Sequence, residues 1–318
     1  MHLGNGAITP GCAAITFAAA GGGLTLAGLA LRRAGIDRNR VLTAGALTGA
    51  IFAAQMVNVP VLPFSSAHLV GGVLAAWVLG PALGALSMGV VLIAQALLLG
   101  DGGVMALGAN IINMGLLPAG VVSLVQRRPG RVTAGLAAAV SVVAAALFIV
   151  GEVALLRGPE QLQGLTAFSL QMLGIHLWIA IPEGLLTVAI LAILGGVVAP
   201  GRMQLDQLRI GGCWGVAALL VICVLPFASP MPDGYEAAAE LSGMPTLLAE
   251  DQATISSLGE MNAAFAAWQE RLVARVHGVF ATEQFLGLVA MGLAGLFAYG
   301  VARVAGGRQE TRPKPRVC

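Results

Sequence analysis

The residues best equipped for chemistry are the first two, Met1 and His2. The α-amine of Met1, the main-chain nitrogen of His2 and one His2 ring nitrogen can close a five- and a six-membered ring around a single cation. Three nitrogens held in this way suit Ni(II) or Cu(II) once a fourth joins them, and the amide must surrender its proton, which hard cations do not induce. Read alone, the dipeptide is most simply a frayed chain end. The chemical question is where in the chain a fourth nitrogen lies.

His68 is the first candidate, in the stretch NVPVLPFSSAHLVGG. Pro60 and Pro63 interrupt a helix there, Ser65 and Ser66 are placed to cap the next one, and His68 to open it. A lone histidine at a membrane interface is often a hydrogen-bonded structural residue. An ionisable group beside two broken helices is nevertheless a functional-site candidate, because burying it is costly unless it is partnered. The segment GDGGVMALGANIINMG places Asp101 in a tight glycine-rich turn, followed by Asn110 and Asn113. With Gln55, Asn58 and Gln95 these amides either line one polar pocket or hold helices in register through hydrogen bonds worth about 1 kcal/mol each. His176 and Glu183 lie seven residues apart, two turns along one helical face. The zinc-protease pattern H-E-x-x-H and the phosphate loop G-x-x-x-x-G-K-[ST] are both missing, so an ATP-driven step must come from another protein. Ala46, Ala50 and Ala54 form a small-residue stripe that serves either internal packing or docking of a partner subunit.

These residues must be positioned by membrane helices. The 318 residues are 58% hydrophobic and 10% charged, with a mean hydropathy of +0.88, far outside the composition of a soluble domain. Apolar stretches long enough to span fall at about 11–31, 41–60, 66–80, 82–99, 104–126, 132–156, 167–198, 209–228 and 279–303, nine in all, with 66–80 the shortest. The basic residues Arg32, Arg33, Arg38 and Arg40 follow the first apolar stretch instead of preceding it, so it is expected to stay as a span and Met1 with it. Threading with the N-terminus outside puts 14 of the 17 Lys and Arg in cytoplasmic loops. The positive-inside rule therefore predicts N-out and C-in, with Met1, His2 and the 60–67 turn on one extracytoplasmic face. Cys12, Cys213, Cys223 and Cys318 form no C-x-x-C pair and imply neither disulfides nor a zinc site.

The basic stretch PGRMQLDQLR divides the chain. The expected organisation is a membrane domain at 1–200, a cytoplasmic linker at 201–208, a two-span module at 209–303 around an extracytoplasmic loop at 229–278, and a basic cytoplasmic tail at 304–318. That loop carries Asp233, Glu236, Glu240 and further acids. It is read either as a solvated segment with short amphipathic helices near 246–276 or as an acidic patch concentrating cations.

The Met-His start, FAAQMVNVPV with SSAHLVGG, GDGGVMALGANIINMG and HLWIAIPEGLLT, occurring in that order over about residues 1–198, resemble the substrate-capture subunits of energy-coupling-factor (ECF) transporters for cobalt and nickel, the CbiM/NikM group. Residues 209–303 resemble the small companion subunit CbiN/NikN fused in line, with Ser229 to Glu236 matching the start of its external loop. The resemblance implies an all-α integral membrane fold with a core of about seven helices plus two further spans. It implies a transported Ni(II) or Co(II) ion held by the Met1 amine, the His2 main-chain nitrogen and ring, and the His68 ring, with no separate cofactor. Asn5, Asn58, Ser65, Ser66, Asn110 and Asn113 are expected around that site. The implied partners are a scaffold membrane subunit, docking at Ala46, Ala50 and Ala54, and two ATP-binding subunits, in the cell (inner) membrane and without nucleic acid. The chain departs from the family in carrying Gly4 and Asn5 where proline and an acid are usual, which predicts a retained site with altered affinity or preference.

The expected function is thus a non-enzymatic transporter subunit capturing Ni(II) or Co(II) and delivering it inward when coupled to an ATPase. An intramembrane enzyme built on His176 and Glu183, or a structural or regulatory membrane subunit, are the other readings.

Overall fold

In a computed structural model the structure describes residues 2–156, 164–195, 200–201, 203, 205–244, 247, 271 and 282–306. After a short turn at Asn5–Ala7, helices run in the order α1 Pro10–Ala34, α2 Arg38–Gln55, α3 Gly72–Leu79, α4 Pro81–Ala94, α5 Leu107–Ile111, α6 Leu117–Val125, α7 Arg131–Leu156, α8 Leu165–Ile193, α9 Gln207–Leu219, α10 Gly234–Leu241 and α11 Thr282–Ala305. The strands β1 Val59–Leu62 and β2 Ser65–Ala67 form an antiparallel hairpin between α2 and α3. Helix α4 continues through a π turn at Gln95–Leu99, and α5 runs into α6 through a second at Ile112–Leu116.

Among the described residues seven helices are long and apolar enough to cross a membrane, which bears out the all-α membrane class. The two remaining expected spans differ from it. Helix α2 has 18 residues and carries Arg38 and Arg40 in its first turn. The stretch expected to span at 66–80 is instead a strand, an irregular turn and the eight-residue helix α3, every residue of which is buried. Ser65 and Ser66 therefore do not cap a helix and His68 does not open one. The cap of α3 is Gly71 at φ 72°, a left-handed conformation that glycine adopts without the penalty of a Cβ. An apolar run of that length is equally compatible with a strand followed by a short helix.

Sequence-local caps set several helix starts. Thr9 Oγ1 accepts from the Cys12 N–H with Pro10 in the first turn, while Asp37 and Asp206 accept from the N–H of Arg40 and Arg209. Polar contacts then gather at two ends of the bundle. At one end Arg40 donates to the Leu79 carbonyl, Asn39 to that of Leu205, and Arg209 to that of Leu194. At the other lie His2, the hairpin, the turn at Gly100–Gly103 and the segment 229–233.

Helix α2 lies against α9 and α11 where Gly45 meets Gly295 and Gly49 meets the Trp214 ring. Ala46 is fully buried, and Ala50 and Ala54 line an apolar cavity of about 390 Å³ between α2, α8 and α9. Cys12, Cys213 and Cys223 are free thiols, while Cys318, the basic tail beyond 306 and the amphipathic stretch near 246–276, apart from Leu247 and Arg271, lie outside the described residues.

Candidate metal-capture site

The first residues are fastened from two sides. Asn110 accepts from the Leu3 N–H at 2.9 Å and donates to the Leu3 carbonyl at 3.2 Å, pairing with it as another strand would. That carbonyl also takes the Gly103 N–H at 2.9 Å. His2 is consequently buried, 7% exposed. Its ring stacks on that of His68 with centroids 5.1 Å apart and planes at 24°.

The third member comes from the far end of the chain. Ser66 lies in the buried strand β2, where its N–H and Oγ bond the carbonyls of Pro232 and Met231 at 2.8 and 2.7 Å. The Ser229 N–H donates to the Asn58 carbonyl at 2.8 Å. These bonds seat the segment 229–233 on the hairpin and bring in Asp233. Its Oδ1 accepts from the N–H of Tyr235 and Glu236 while Glu236 returns a bond to the Asp233 N–H, a capping box that starts α10. Its Oδ2 is turned to the His2 main-chain N–H at 3.3 Å. Ligand atoms of His2, His68 and Asp233 all lie within 4.8 Å of one another, and the three residues are buried.

The hydrogen bonds decide which ring nitrogens are available. His68 Nδ1 faces the Leu69 carbonyl at 3.0 Å. Because a carbonyl only accepts, Nδ1 carries the proton and Nε2 keeps its lone pair, with no hydrogen-bond partner among the described residues. His2 Nδ1 lies 3.3 Å from Asp101 Oδ1 and its Nε2 is likewise unpartnered. A chelate through the His2 main-chain nitrogen must use Nδ1, so closing it exchanges Asp101 for the ion.

Electrostatics favour the ligating forms. Burial lowers the His2 ring below its ordinary value against the opposing pull of Asp101, and burial, with His2 nearby, takes His68 down to about 4. Burial would raise Asp233, but the positive charge at the chain start, the Glu236 hydrogen bond and His2 together hold it below the usual carboxylate range. The site therefore offers neutral imidazoles beside an ionised carboxylate.

Of the residues expected at the site, His2 and His68 meet. Met1 and the side chain of Asn5 lie outside the described residues. Asn110 and Ser66 act one step away, Asn110 fastening the Leu3 backbone beside His2 and Ser66 fastening the segment that leads to Asp233. Ser65 bonds the neighbouring Ser66 carbonyl, and Asn58 contributes its backbone. Asn113 instead donates to Glu152 at 2.9 Å, on α7. His176 and Glu183 are both buried and engaged within the fold: His176 Nδ1 bonds the Met172 carbonyl at 2.7 Å, and both Glu183 oxygens accept backbone N–H groups. Asp101 and Asp233 were not foreseen as site residues. The capping pattern Asp233-x-x-Glu236 was legible in the sequence as a helix start, but nothing local reveals that its other oxygen faces residue 2.

The family described as "CbiM: Cobalt uptake substrate-specific transmembrane region" matches residues 2–200. The chain belongs to the CbiM family. This CbiM chain is 35% identical over 165 residues to "Cobalt transport protein CbiM" of Thermosediminibacter oceani, covering 48% of the chain and 67% of that protein. It is 35% identical over 119 residues to "Fused nickel transport protein NikMN" of Rhodobacter capsulatus, covering 37% and 33%. A crystal structure of a transition metal transporter superposes with a TM-score of 0.53 at 28% identity, covering 61% of this CbiM chain and 92% of that one. Other curated relatives are matched over a quarter to about half of their own length.

Proposed function

We propose that this CbiM-family chain captures Ni(II) or Co(II) as cargo at the end of the bundle formed by His2, His68 and Asp233, and passes it across the membrane. The observation that carries the reading is the convergence of two neutral imidazoles and one carboxylate within 4.8 Å, from residues 2, 68 and 233. Borderline cations that accept nitrogen fit this donor set, whereas an all-oxygen cage would suit Mg(II) or Ca(II). The Met1 amine and the His2 main-chain nitrogen complete the chelate. Asp101 and Asp233 supply the negative charge that Gly4 and Asn5 do not, offsetting the dication in a buried setting.

The distribution of Lys and Arg supports an orientation with the site outside the cell membrane and the Arg40–Arg209 end in the cytoplasm. The chain works as the substrate-binding component of an ECF transporter, with a scaffold membrane subunit and two ATP-binding subunits supplying the energy. Residues 1–200 form the capture domain, and 209–303 a CbiN/NikN-like module whose loop delivers Asp233 to it. The names of the relatives, a cobalt and a nickel transport protein, support the cargo class.

The test is Ni(II) titration of the purified protein. His2→Ala and His68→Ala should each lower affinity by at least 100-fold, and Asp233→Asn, which keeps an oxygen donor but loses the charge, by 10- to 100-fold. Unchanged affinity in His2→Ala or His68→Ala would remove the proposal.

A further inference from the structure

We propose that Glu183 is the positioning residue for His68, acting through the Leu69–Val70 peptide unit while Gln55 helps hold the next unit of the turn, so that affinity for the captured ion is set from within helix α8. The inference deepens the metal-capture reading and rests on it.

Both Glu183 oxygens are occupied in sequence: Oε2 accepts the Val70 N–H at 2.8 Å and Oε1 the Gly71 N–H at 2.9 Å. Gln55, from α2, donates to the Val70 carbonyl at 2.7 Å. Two helices thus hold three consecutive backbone groups of the turn that follows His68, and Glu183 and Gln55 are themselves buried at 4% and 1% exposure. The decisive detail is that the Val70 N–H and the Leu69 carbonyl belong to one peptide unit. Its N–H goes to Glu183 while its oxygen takes His68 Nδ1 at 3.0 Å.

A trans peptide is planar with N–H and C=O pointing in opposite directions, so fixing one fixes the other. Glu183 therefore aims the Leu69 carbonyl at His68. That carbonyl in turn selects the Nδ1–H tautomer, fixes the ring plane and leaves Nε2 as the lone pair for the ion. Hydrogen bonds in such a chain polarise one another. Metal-bound histidines commonly receive this orientation from a carboxylate or a carbonyl directly; here the two are joined in series. The pairing also gives the buried carboxylate two charge-assisted bonds.

The experiment compares wild type, Glu183→Gln, His68→Ala and the double variant of the full chain in detergent. Ni(II) affinity is measured by competition with a chelator, and the nitrogen hyperfine pattern of bound Cu(II) by electron paramagnetic resonance, Cu(II) being the ion a terminal chelate retains most firmly. Glu183→Gln should weaken Ni(II) 10- to 100-fold, turn the Cu(II) spectrum into that of His68→Ala, and have no further effect in the His68→Ala background, since residues acting through one another are not additive. A merely structural Glu183 would weaken both backgrounds equally, which would overturn the proposal, as would wild-type affinity and spectrum in Glu183→Gln. If Glu183→Gln does not yield folded protein, Gln55→Leu carries the same comparison: a loss with a changed spectrum that needs His68 supports the proposal, and no loss overturns it. Wild-type affinity in His68→Ala would overturn the capture reading itself, whereas a normal Glu183→Gln beside an impaired His68→Ala overturns only the positioning role.

Discussion

Ser66 Oγ donates to the carbonyl of Met231 at 2.7 Å across 165 residues of sequence. This bond, with the Ser66 N–H on the Pro232 carbonyl, is what fastens the Asp233 segment to the strand leading into His68.

Replacing Ser66 by alanine deletes the side-chain half of that clasp. A buried hydrogen bond is worth about 1 kcal/mol, and the stranded carbonyl adds to the loss. Ser66→Ala should therefore weaken Ni(II) binding several-fold through a less firmly seated Asp233, while thermal unfolding shifts by only a few degrees. Calorimetric titration beside a melting curve measures both, and an unchanged affinity would show that Asp233 is held without the clasp.

The pH behaviour of the rings follows from burial. With His68 held down to about 4, its ring should take no proton between pH 7.5 and 5.5, so protonation of that ring does not compete with the ion in that window; burial lowers the His2 ring as well. In the unfolded chain both titrate near their ordinary 6.5. The sign is therefore that apo stability is undiminished above pH 6.5 and falls as pH drops from there toward 4. Asp233, lowered from 3.8, acts otherwise: its contribution is present above that value and is lost below it. Histidine-selective NMR of the apo protein, with His2→Ala and His68→Ala for assignment, reads the rings directly, and a midpoint near 6.5 for either would contradict the buried stack.

Gly234 begins α10 under the ring of His176. A Cβ there would lie 2.6 Å from Ile179 Cδ1, 2.9 Å from His176 Cε1 and 3.1 Å from His176 Nε2. The ring cannot swing aside cheaply, because its Nδ1 is bonded to the Met172 carbonyl at 2.7 Å. Gly234→Ala should cost about 1–3 kcal/mol by overpacking and lower metal affinity by displacing Asp233. Adding His176→Ala should recover part of both losses, measured by denaturant unfolding and Ni(II) titration; failure to recover would place the strain elsewhere.

Much of this was legible in the sequence. Hydropathy located the long helices to within a few residues, and basic loops put His2 and His68 at a common end, because those signals are local. The hairpin was hidden: its strands have four and three residues, and Ser65-Ser66 reads as a helix cap unless the partner strand is known. Asn110 was seen as one polar residue among several, but only the fold shows it pairing with the Leu3 backbone. Glu183 looked like half of a catalytic pair with His176, since two turns put both on one face. That face meets two ligand-bearing loops, and each residue serves a different one. Asp233 was least accessible, because contact between positions 2 and 233 leaves no periodicity or spacing to read.

The contact between His2 and Asp233, 231 positions apart, also has a consequence for biogenesis. His2 is made before its carboxylate neighbour, which follows only after a delay of about 10–50 s at ordinary translation rates. Until then a nascent chain holds the two imidazoles without the group that completes the buried cluster. A ribosome stalled between α8 and α9 therefore leaves the two imidazoles without that carboxylate.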